Sequence, residues 1–301
     1  MIQLSVLKDA SEIIHYNVPQ FLAYCRDAEL AYFPDKSALC HWHDDLEFTM
    51  AVKGSMMYSV NGKDFQINEG EGILINAKKL HYGYSVNGAD CKFTCILLHP
   101  KLICSNSYIE RKFVEPILDH PAFDQMILRP SDAVGSNLLK YYLAIHEANS
   151  IKEPGYELEI QSLFNSIWKQ IYKIYSSIEN TSGDSLDNNL LIQKNMISFI
   201  NNNYMNKISL REIAASGGVC RSKCCAIFKT YLHQSPIGYL NRYRLERSIE
   251  HLITSSASIT EIALSSGFTG SSYFTEIFRQ YKGCTPTEYR VIAKRSRDIR
   301  V

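Results

Sequence analysis

Two histidines and a glutamate stand close together near residue 45, with the spacing of one face of a β-strand. His41, His43 and Glu47 are separated by even numbers of residues, and strand side chains alternate between faces with a period of two. If this segment is extended, all three side chains point to the same side. A fourth group, His81, would have to come from a separate strand. Imidazole and carboxylate groups collected in this way can hydrogen-bond the hydroxyl groups of a small molecule.

The segment from about residue 30 to 99 has the pattern of short strands that would position these groups. Apolar and polar residues alternate in Met57–Val60 and again in Phe65–Ile67. Between these two runs, Asn61-Gly62 is a strong signal for a tight hairpin. Short strands at this spacing predict a β-sandwich or a barrel.

The order of these residues resembles the two sequence motifs of a cupin barrel. Gly54 follows the first motif, and Gly72 and His81 fall within the second, where Ala77-Lys78-Lys79 replaces the usual proline and glycine. The resemblance implies three histidines and one glutamate that can hold a divalent metal. Two alternatives stay open, a catalytic or structural metal site and a metal-free sensory pocket. We expect no metal and no cofactor, because spacing alone does not establish coordination.

Candidate contacts of a small-molecule effector share an aromatic or hydrogen-bonding side chain near these motifs. They are His41, Trp42, His43, Glu47, Tyr58, His81, Tyr82 and Tyr84. Aromatic faces suit stacking on sugars, and a few convergent polar groups are typical of ligand pockets. The chain has 19 tyrosines, so any one of them can equally be an ordinary barrel residue.

After Pro100 the pattern changes to helix. Residues 138–148 and 156–177 carry apolar residues at helical spacing. Residues 138–178 have more apolar positions than one face needs, so they either form a dimer interface or pack against the barrel. The small polar residues at 181–188 predict a linker.

The net charge of +1 is unevenly divided along the chain. Residues 186–301 carry +8 and residues 1–185 carry −7, a division expected when only one end binds a polyanion. No apolar run approaches the roughly 18 residues that span a bilayer, and the first sixteen residues lack a signal-peptide core. We therefore expect a cytoplasmic protein with no membrane partner. The nine cysteines are predicted to be reduced thiols.

The C-terminal part contains an internal repeat with an offset of about 50 residues. Ile208–Val219 matches Ser258–Phe268, Phe228–Tyr231 matches Phe278–Tyr281, and Ser235–Tyr239 matches Thr285–Tyr289. Each copy begins with a capping box, Ser209 with Glu212 or Ser258 with Glu261, and a glycine, Gly218 or Gly267, ends its first helix. Helix, glycine turn and helix is the pattern of the helix-turn-helix, whose second helix can enter a DNA major groove.

A single helix over residues 236–253 is predicted between the two copies. Its length of about 27 Å is comparable with the spacing of about 34 Å between successive major grooves on one face of DNA. Such a spacer could hold two recognition helices in adjacent grooves. Arg242, Arg244 and Arg247 lie along it, and we interpret them as a solvated face, as phosphate contacts or as partners of nearby glutamates.

Residues 190–295 resemble the DNA-binding domain of the AraC/XylS family of transcription regulators. The segments Gly267–Arg279 and Thr285–Arg290 carry the resemblance most clearly. It implies a multidomain α+β chain with an N-terminal cupin-like β-barrel, following helices and a C-terminal all-α double helix-turn-helix. The corresponding domains are an effector-sensing domain at 1–105, a helical dimerisation or packing segment at 106–180, the linker at 181–188 and the DNA-binding domain at 189–301.

Transferring the family's roles position by position assigns DNA contacts to two helices. The first helix presents Arg221, Ser222, Cys225, Ala226 and Lys229, and the second presents Ser271, Ser272, Thr275, Glu276 and Arg279. Glu276 could accept a hydrogen bond from cytosine N4. Cys225 and Ala226 stand where family members often have long hydrogen-bonding side chains. The first helix-turn-helix is therefore predicted to depend on phosphate contacts and DNA shape.

The resemblance implies a homodimeric regulator that binds promoter DNA and responds to a small-molecule effector such as a sugar. Activation, with RNA polymerase as a candidate partner, is favoured over repression, and no enzymatic activity is expected. One alternative is a cupin metalloenzyme with a helical appendage, although an enzyme has no need of the tandem repeat. Another is a DNA-binding protein whose cupin serves only as a dimerisation platform.

Overall fold

The computed structural model describes residues 6–7, 10–18, 20–120, 122–176 and 188–291. The described residues from 12 to 176 form one compact unit, and those from 188 to 291 form a second, which also includes residues 6, 7, 10 and 11. Sheets dominate the first unit and helices the second, as the predicted fold class requires. The predicted linker at 181–188 lies outside the described residues, apart from its last position.

Eight strands form two antiparallel sheets in the first unit. They are β1 (Ala23–Glu29), β2 (Leu46–Gly54), β3 (Met56–Val60), β4 (Lys63–Ile67), β5 (Gly72–Ile75), β6 (His81–Tyr84), β7 (Cys91–Leu98) and β8 (Gln125–Leu128). The larger sheet has the strand order β1-β7-β2-β5-β8, and the smaller has the order β4-β3-β6.

The predicted hairpin is present between β3 and β4. Val60 pairs with Lys63 across a two-residue turn. Asn61 and Gly62 have φ angles of 48° and 78°, the left-handed values that a type I′ turn requires at both positions. Asparagine and glycine tolerate these values, which explains why this dipeptide specifies the register locally.

The five-stranded sheet is covered on both faces. One face packs against the smaller sheet, with Ile73 and Phe93 meeting Val60 and Ile67 in a shared core. The opposite face packs against helices through a second core. Apolar residues of the central strands therefore divide between the two cores, as Ile73 and Leu74 of β5 do.

The helices on the outer face come from the segment after β7. They are α1 (Ser107–Ile109), α2 (Glu115–Leu118), α3 (Ala133–Ile151) and α4 (Tyr156–Tyr175). Strand β8 lies in the segment at 106–180 that was predicted to be helical, and it completes the larger sheet by pairing with β5. Its four residues are too few to show a period, so local pattern could not distinguish this strand from helix. The sheet domain therefore extends beyond the predicted boundary at residue 105.

The second unit is helical. Its helices are α5 (Asn188–Asn203), α6 (Leu210–Ser216), α7 (Arg221–Leu232), α8 (Pro236–Thr254), α9 (Ile259–Ser265) and α10 (Ser271–Lys282), and residues 286–291 are also helical. The structure confirms both predicted capping boxes, one at the start of α6 and one at the start of α9. No helix in the described part of the chain is long and apolar enough to cross a bilayer.

The predicted single helix between the repeats is α8. Its apolar side, including Tyr239, Tyr243 and Leu252, is buried. Two of its arginines do not form the solvated face considered from the sequence, because Arg242 and Arg244 are both buried. Arg242 Nε lies 3.6 Å from Glu246 Oε1, the intrahelical pairing that was one of the interpretations.

Candidate functional site

His41, His43 and Glu47, which were predicted to share a face, come together with His81 inside the first unit. One ligand atom from each of His41, His43, Glu47 and His81 lies within 4.8 Å of every other, and all four residues are buried. His41 and His81 are held by reciprocal backbone hydrogen bonds, with N–O distances of 3.1 and 2.9 Å, which join the segment before β2 to β6. Sheet pairing therefore brings residues 40 positions apart to one point.

Each imidazole is oriented by a backbone carbonyl. Nδ1 of His41 lies 2.7 Å from the Leu39 oxygen, Nδ1 of His43 lies 3.1 Å from the Asp45 oxygen, and Nδ1 of His81 lies 2.8 Å from the Lys79 oxygen. A carbonyl oxygen only accepts hydrogen bonds, so each Nδ1 carries the proton. In the neutral ring, the Nε2 lone pair is then directed into the cluster.

Glu47 divides its two oxygens between different partners. Oε1 accepts hydrogen bonds from Thr49 Oγ1, at 3.0 Å, and from the Tyr58 hydroxyl. Oε2 lies 3.2 Å from His43 Nε2 and 3.0 Å from His81 Nε2. The donors on Oε1 fix the carboxylate plane, so Oε2 remains directed at the imidazoles.

A second carboxylate approaches the cluster from the N-terminal segment. Glu12 Oε2 lies 3.3 Å from His41 Nε2, and the Glu12 backbone N–H donates to the Trp42 oxygen at 2.8 Å. Burial, followed by the negative charge of Glu47, raises the pKa of Glu12 to about 8. Two carboxylates thus approach the imidazole cluster, Glu12 at His41 and Glu47 at His43 and His81.

Burial and the charges of neighbouring groups shift the pKa values of these residues in different directions. Burial, followed by His81 and His43, lowers the pKa of His41 to about 3, so its ring is neutral. Burial opposes the charged form of Glu47, but His81 and His43 outweigh it and hold its pKa well below the ordinary value. Burial also opposes the charged form of His81, yet the charge and hydrogen bond of Glu47 raise its pKa.

A cavity of about 270 Å³ adjoins this cluster between the sheets. Its polar end is formed by Glu12, His41, Glu47 and Tyr58. The rest is mainly apolar, and its apolar lining includes Leu30, Phe33, Met56, Phe93 and Leu97. The volume is near the lower end of the roughly 300–1,000 Å³ typical of small-molecule sites. The arrangement can hold a small ligand that has one polar end.

The predicted effector contacts divide into three groups. His41, Glu47 and Tyr58 line the cavity, while His43 and His81 belong to the buried cluster beside it. Trp42, Tyr82 and Tyr84 lie outside the lining. Trp42 lies between His41 and His43 in sequence, and β6 directs His81 and Gly83 inward, so period-two alternation turns these three aromatic residues away.

Several cavity residues were not anticipated from the sequence. Tyr24, Arg26 and Ala28 line the cavity from alternate positions of β1, and Arg26 Nη1 donates to the Tyr24 hydroxyl at 3.3 Å. Their period-two spacing was a usable signal for an additional strand before residue 30. Glu12 carried no comparable signal, because it lies outside any strand and reaches the site through tertiary contacts.

The second unit presents the predicted DNA contacts on α7 and α10. On α7, Arg221, Ser222, Ala226 and Lys229 are exposed and Cys225 is half-buried, while the opposite side buries Cys224, Ile227 and Phe228. On α10, Ser272, Glu276 and Arg279 are exposed and Ser271 and Thr275 are half-buried. Each helix is therefore seated by one apolar side and leaves its predicted contact residues accessible.

The outer side of α10 has a shallow depression. Ser272, Thr275, Glu276, Arg279 and Gln280 line it. Four of these five residues were predicted as DNA contacts, and Gln280 was not. Because residues three and four apart share a helix face, the spacing of Gln280 from Glu276 was sufficient to include it.

Two family models match this chain. The AraC-like ligand binding domain matches residues 26–153, and a helix-turn-helix domain matches residues 213–291. A cavity-bearing sheet unit followed by paired helix-turn-helix motifs defines a ligand-responsive regulator of transcription. The two models together match more than half of the chain, which belongs to the AraC family of transcription regulators.

The relatives include regulators that match along most of their length. YdeC, an HTH-type transcriptional regulator of Bacillus subtilis, is 28% identical over 250 residues, covering 83% of this chain and 85% of its own. The melibiose operon regulatory protein of Escherichia coli is 22% identical over 265 residues, covering 85% of each chain. The crystal structure of fatty-acid-bound ToxT from Vibrio cholerae has 16% identity and a TM-score of 0.42, covering 89% of this chain and 94% of ToxT.

Proposed function

We propose that the chain regulates transcription by binding duplex promoter DNA through α7 and α10 and a small-molecule effector through the cavity of the first unit. The observation that carries the DNA-binding part is the repeated exposure of polar and basic residues on two helices whose other sides are buried. The charge of +8 on residues 186–301 supports it, because Lys and Arg neutralise phosphates.

The test uses the full-length chain and a pool of random duplexes. We expect selection to enrich a defined sequence, and affinity for it to fall steeply with salt because each neutralised phosphate releases counterions. Arg279→Ala should weaken binding to all sequences and reduce the salt slope by about 1. The control is Lys140→Ala, which removes the same charge from the exposed side of α3. A flat salt response would contradict the proposal.

The effector is proposed to place a polar end at Glu12, His41, Glu47 and Tyr58 and an apolar body between Phe33, Met56 and Phe93. The name of the melibiose operon regulatory protein supports a sugar or a derivative. The largely apolar lining favours a derivative with an apolar part over a free polyol. Thermal-shift screening of sugars, alkyl glycosides and small apolar alcohols would distinguish these classes. A ligand at 100 times its Kd should stabilise the fold by about 2.7 kcal/mol.

Two tyrosine variants test whether that ligand occupies this cavity. Tyr58→Phe removes a hydroxyl from the lining, and Tyr84→Phe removes one from a residue outside it. We expect only Tyr58→Phe to reduce the ligand-induced shift. Equal loss in both variants would place the ligand elsewhere.

The proposal also includes a homodimer that activates transcription through RNA polymerase. Helices α3 and α4 bury one side in the core, yet Leu143, Ile151 and Leu158 are 49%, 61% and 72% exposed. Because contiguous exposed apolar surface marks protein contacts, we propose that these three side chains belong to the dimer interface. Leu158→Lys should yield monomers by light scattering if α4 forms the dimer interface. Transcription in vitro from a promoter carrying the selected sequence would show whether the effect is activation and whether it proceeds without enzymatic chemistry.

A further inference from the structure

We propose that the effector of the first unit is an anion, and that Arg26 and Tyr24 bind its charged group where the cavity meets solvent. The uncharged remainder of the ligand occupies the apolar part of the cavity. This inference rests on the proposed function, because it concerns the same effector site. It adds a charge on the ligand and the two residues that recognise that charge.

The position of Arg26 on β1 is the first argument. Alternate residues of β1 line the cavity, and so do their partners in register on β7. The pairs are Tyr24 with Leu97, Arg26 with Cys95 and Ala28 with Phe93. Because strand side chains alternate between faces, the Arg26 side chain leaves the larger sheet on the cavity side. Arg26 is also exposed, so this row of side chains places a cation at the opening of the cavity.

The absence of a counter-ion is the second argument. In the part of the chain that the structure describes, no carboxylate pairs with Arg26. The acidic residues nearest to it along β1 alternate to the other face of the strand and have partners there. Asp27 Oδ1 accepts a hydrogen bond from Thr94 Oγ1 at 2.6 Å. Glu29 Oε1 lies 2.9 Å from Lys92 Nζ. The guanidinium charge is therefore available to a ligand.

Tyr24 supplies a second donor beside the guanidinium, which is the third argument. Arg26 Nη1 donates to the Tyr24 hydroxyl oxygen at 3.3 Å. A phenol oxygen that accepts a hydrogen bond keeps its own O–H to donate. Among the described residues, this O–H has no acceptor. A guanidinium binds carboxylate and phosphate oxygens through paired N–H groups. The two side chains therefore form one donor set for a single anionic group.

The separation between Tyr24 and Glu47 determines how the ligand is oriented. Glu47 of β2, Leu97 of β7 and Tyr24 of β1 stand in register across three adjacent strands. Two strand spacings therefore separate the backbones at Glu47 and Tyr24, a distance of about 10 Å. An anion is repelled by the Glu47 carboxylate and attracted by Arg26. Since the rest of the lining is mainly apolar, the cavity suits a ligand with an apolar body and one anionic group.

The test measures how probes that share a hexyl chain bind to the full-length chain, by isothermal titration calorimetry. The probes are hexanoate, hexyl phosphate, hexan-1-ol and hexylamine. We expect at least one of the two anions to bind more tightly than hexan-1-ol, and hexylamine to bind most weakly. The tighter anion identifies the charged group as a carboxylate or a phosphate. Acetate should bind about tenfold or more weakly than hexanoate, because each buried methylene contributes about fourfold to the binding constant.

Variants then assign the charge recognition to Arg26. Arg26→Gln should weaken binding of the anions about tenfold or more and leave the affinity for hexan-1-ol unchanged. Arg26→Lys keeps the charge without the planar donor pair and should restore part of the loss. Tyr24→Phe should cause a smaller loss. The control Arg111→Gln removes an exposed guanidinium outside the cavity lining and should bind every probe as the unchanged chain does. Circular dichroism establishes that each variant is folded.

The outcomes separate this inference from the proposed function. If hexan-1-ol binds as tightly as both anions, or if Arg26→Gln binds them as the unchanged chain does, the inference is wrong and the effector cavity stands. Acetate binding as tight as that of hexanoate would also overturn it, because the anion would then be held at the surface without the cavity. If none of the hexyl probes binds, both the inference and the proposed role of the cavity fail. The selection of DNA sequences tests the rest of the proposed function independently.

Discussion

Arg244 of α8 is hydrogen-bonded to Tyr204 in the turn between α5 and α6. Its Nε donates to the Tyr204 oxygen at 2.7 Å, and Nη2 donates to the Asn206 oxygen at 2.8 Å. The guanidinium also lies over the ring of Phe268, at 5.9 Å, in the turn of the second helix-turn-helix. One buried side chain therefore joins the turn that precedes the first repeat to the turn of the second repeat.

Replacing Arg244 should loosen this junction. Arg244→Met keeps most of the aliphatic stem but leaves two carbonyl oxygens without their charged donor. Hydrogen bonds to charged groups contribute about 1.5–3 kcal/mol each. We therefore expect urea denaturation to show that the free energy of unfolding falls by about 2–4 kcal/mol. The control Arg211→Met changes an exposed arginine on α6 and should have little effect. Equal stability of the two variants would show that the junction is held by other contacts.

The two turn glycines should respond differently to alanine. Gly218 and Gly267 have φ angles of 66° and 84°, which cost an L-residue about 1–2 kcal/mol. A Cβ at Gly218 meets nothing within 4 Å, whereas one at Gly267 would overlap the Tyr204 oxygen and lie 2.9 Å from Arg244 Nε. We expect Gly218→Ala to lower the free energy of unfolding by about 1–2 kcal/mol. Gly267→Ala should lower it by about 3 kcal/mol or more. Chemical denaturation of the two variants, which are each other's control, provides the comparison.

Glu276 should contribute sequence preference more than affinity. It is exposed on α10, and a carboxylate there can accept from cytosine N4. Repeating the duplex selection with Glu276→Ala should relax the preference at one position by about 1–3 kcal/mol, while the salt slope stays unchanged. Arg279→Ala is the contrasting variant, since it should lower affinity uniformly. A sequence logo unchanged by Glu276→Ala would refute base readout by this residue.

The two halves of the DNA site, one contacted by α7 and the other by α10, should differ in how strongly they prefer particular bases. Cys225 and Ala226 on α7 offer little hydrogen bonding, whereas α10 presents Thr275 and Glu276. The selected sequences should therefore be more uniform in the half that α10 contacts. Ala226→Gln supplies a group able to bond adenine and should sharpen the other half. Equally sharp halves in the unchanged protein would contradict reliance on DNA shape in the first helix-turn-helix.

Features set by neighbouring residues could be predicted from the sequence. The Asn61-Gly62 turn needs only its own φ angles, and the capping boxes need only side chains three residues apart. His41, His43 and Glu47 do lie close together, but the reason differs from the predicted alternation, because β2 begins at Leu46 and a bend at residues 44–45 separates it from the two histidines. A third box, in which the Glu288 backbone N–H donates to Thr285 Oγ1, obeys the same rule.

Features that depend on tertiary contact could not be predicted. Glu12 reaches His41 from a segment without strand periodicity, and β8 joins the sheet from within a helical region. The role of Arg244 depends on which surface of α8 is covered, and its charge suggested exposure instead. In each case, partners distant in sequence determine the environment, and no local pattern encodes them.

Side chains of strand β2 point to both faces of the larger sheet, one toward the cavity and the other toward the outer helices. Glu47 faces the imidazoles, whereas its neighbours Leu46 and Phe48 pack in the core formed with α3 and α4. The Tyr142 hydroxyl of α3 also donates to the Thr94 oxygen of the adjacent β7, at 2.8 Å. A strand cannot translate on one face alone. Any adjustment of Glu47 when the cavity fills must therefore be absorbed by the outer helices, so ligand affinity and the packing of α3 and α4 should change together under mutation.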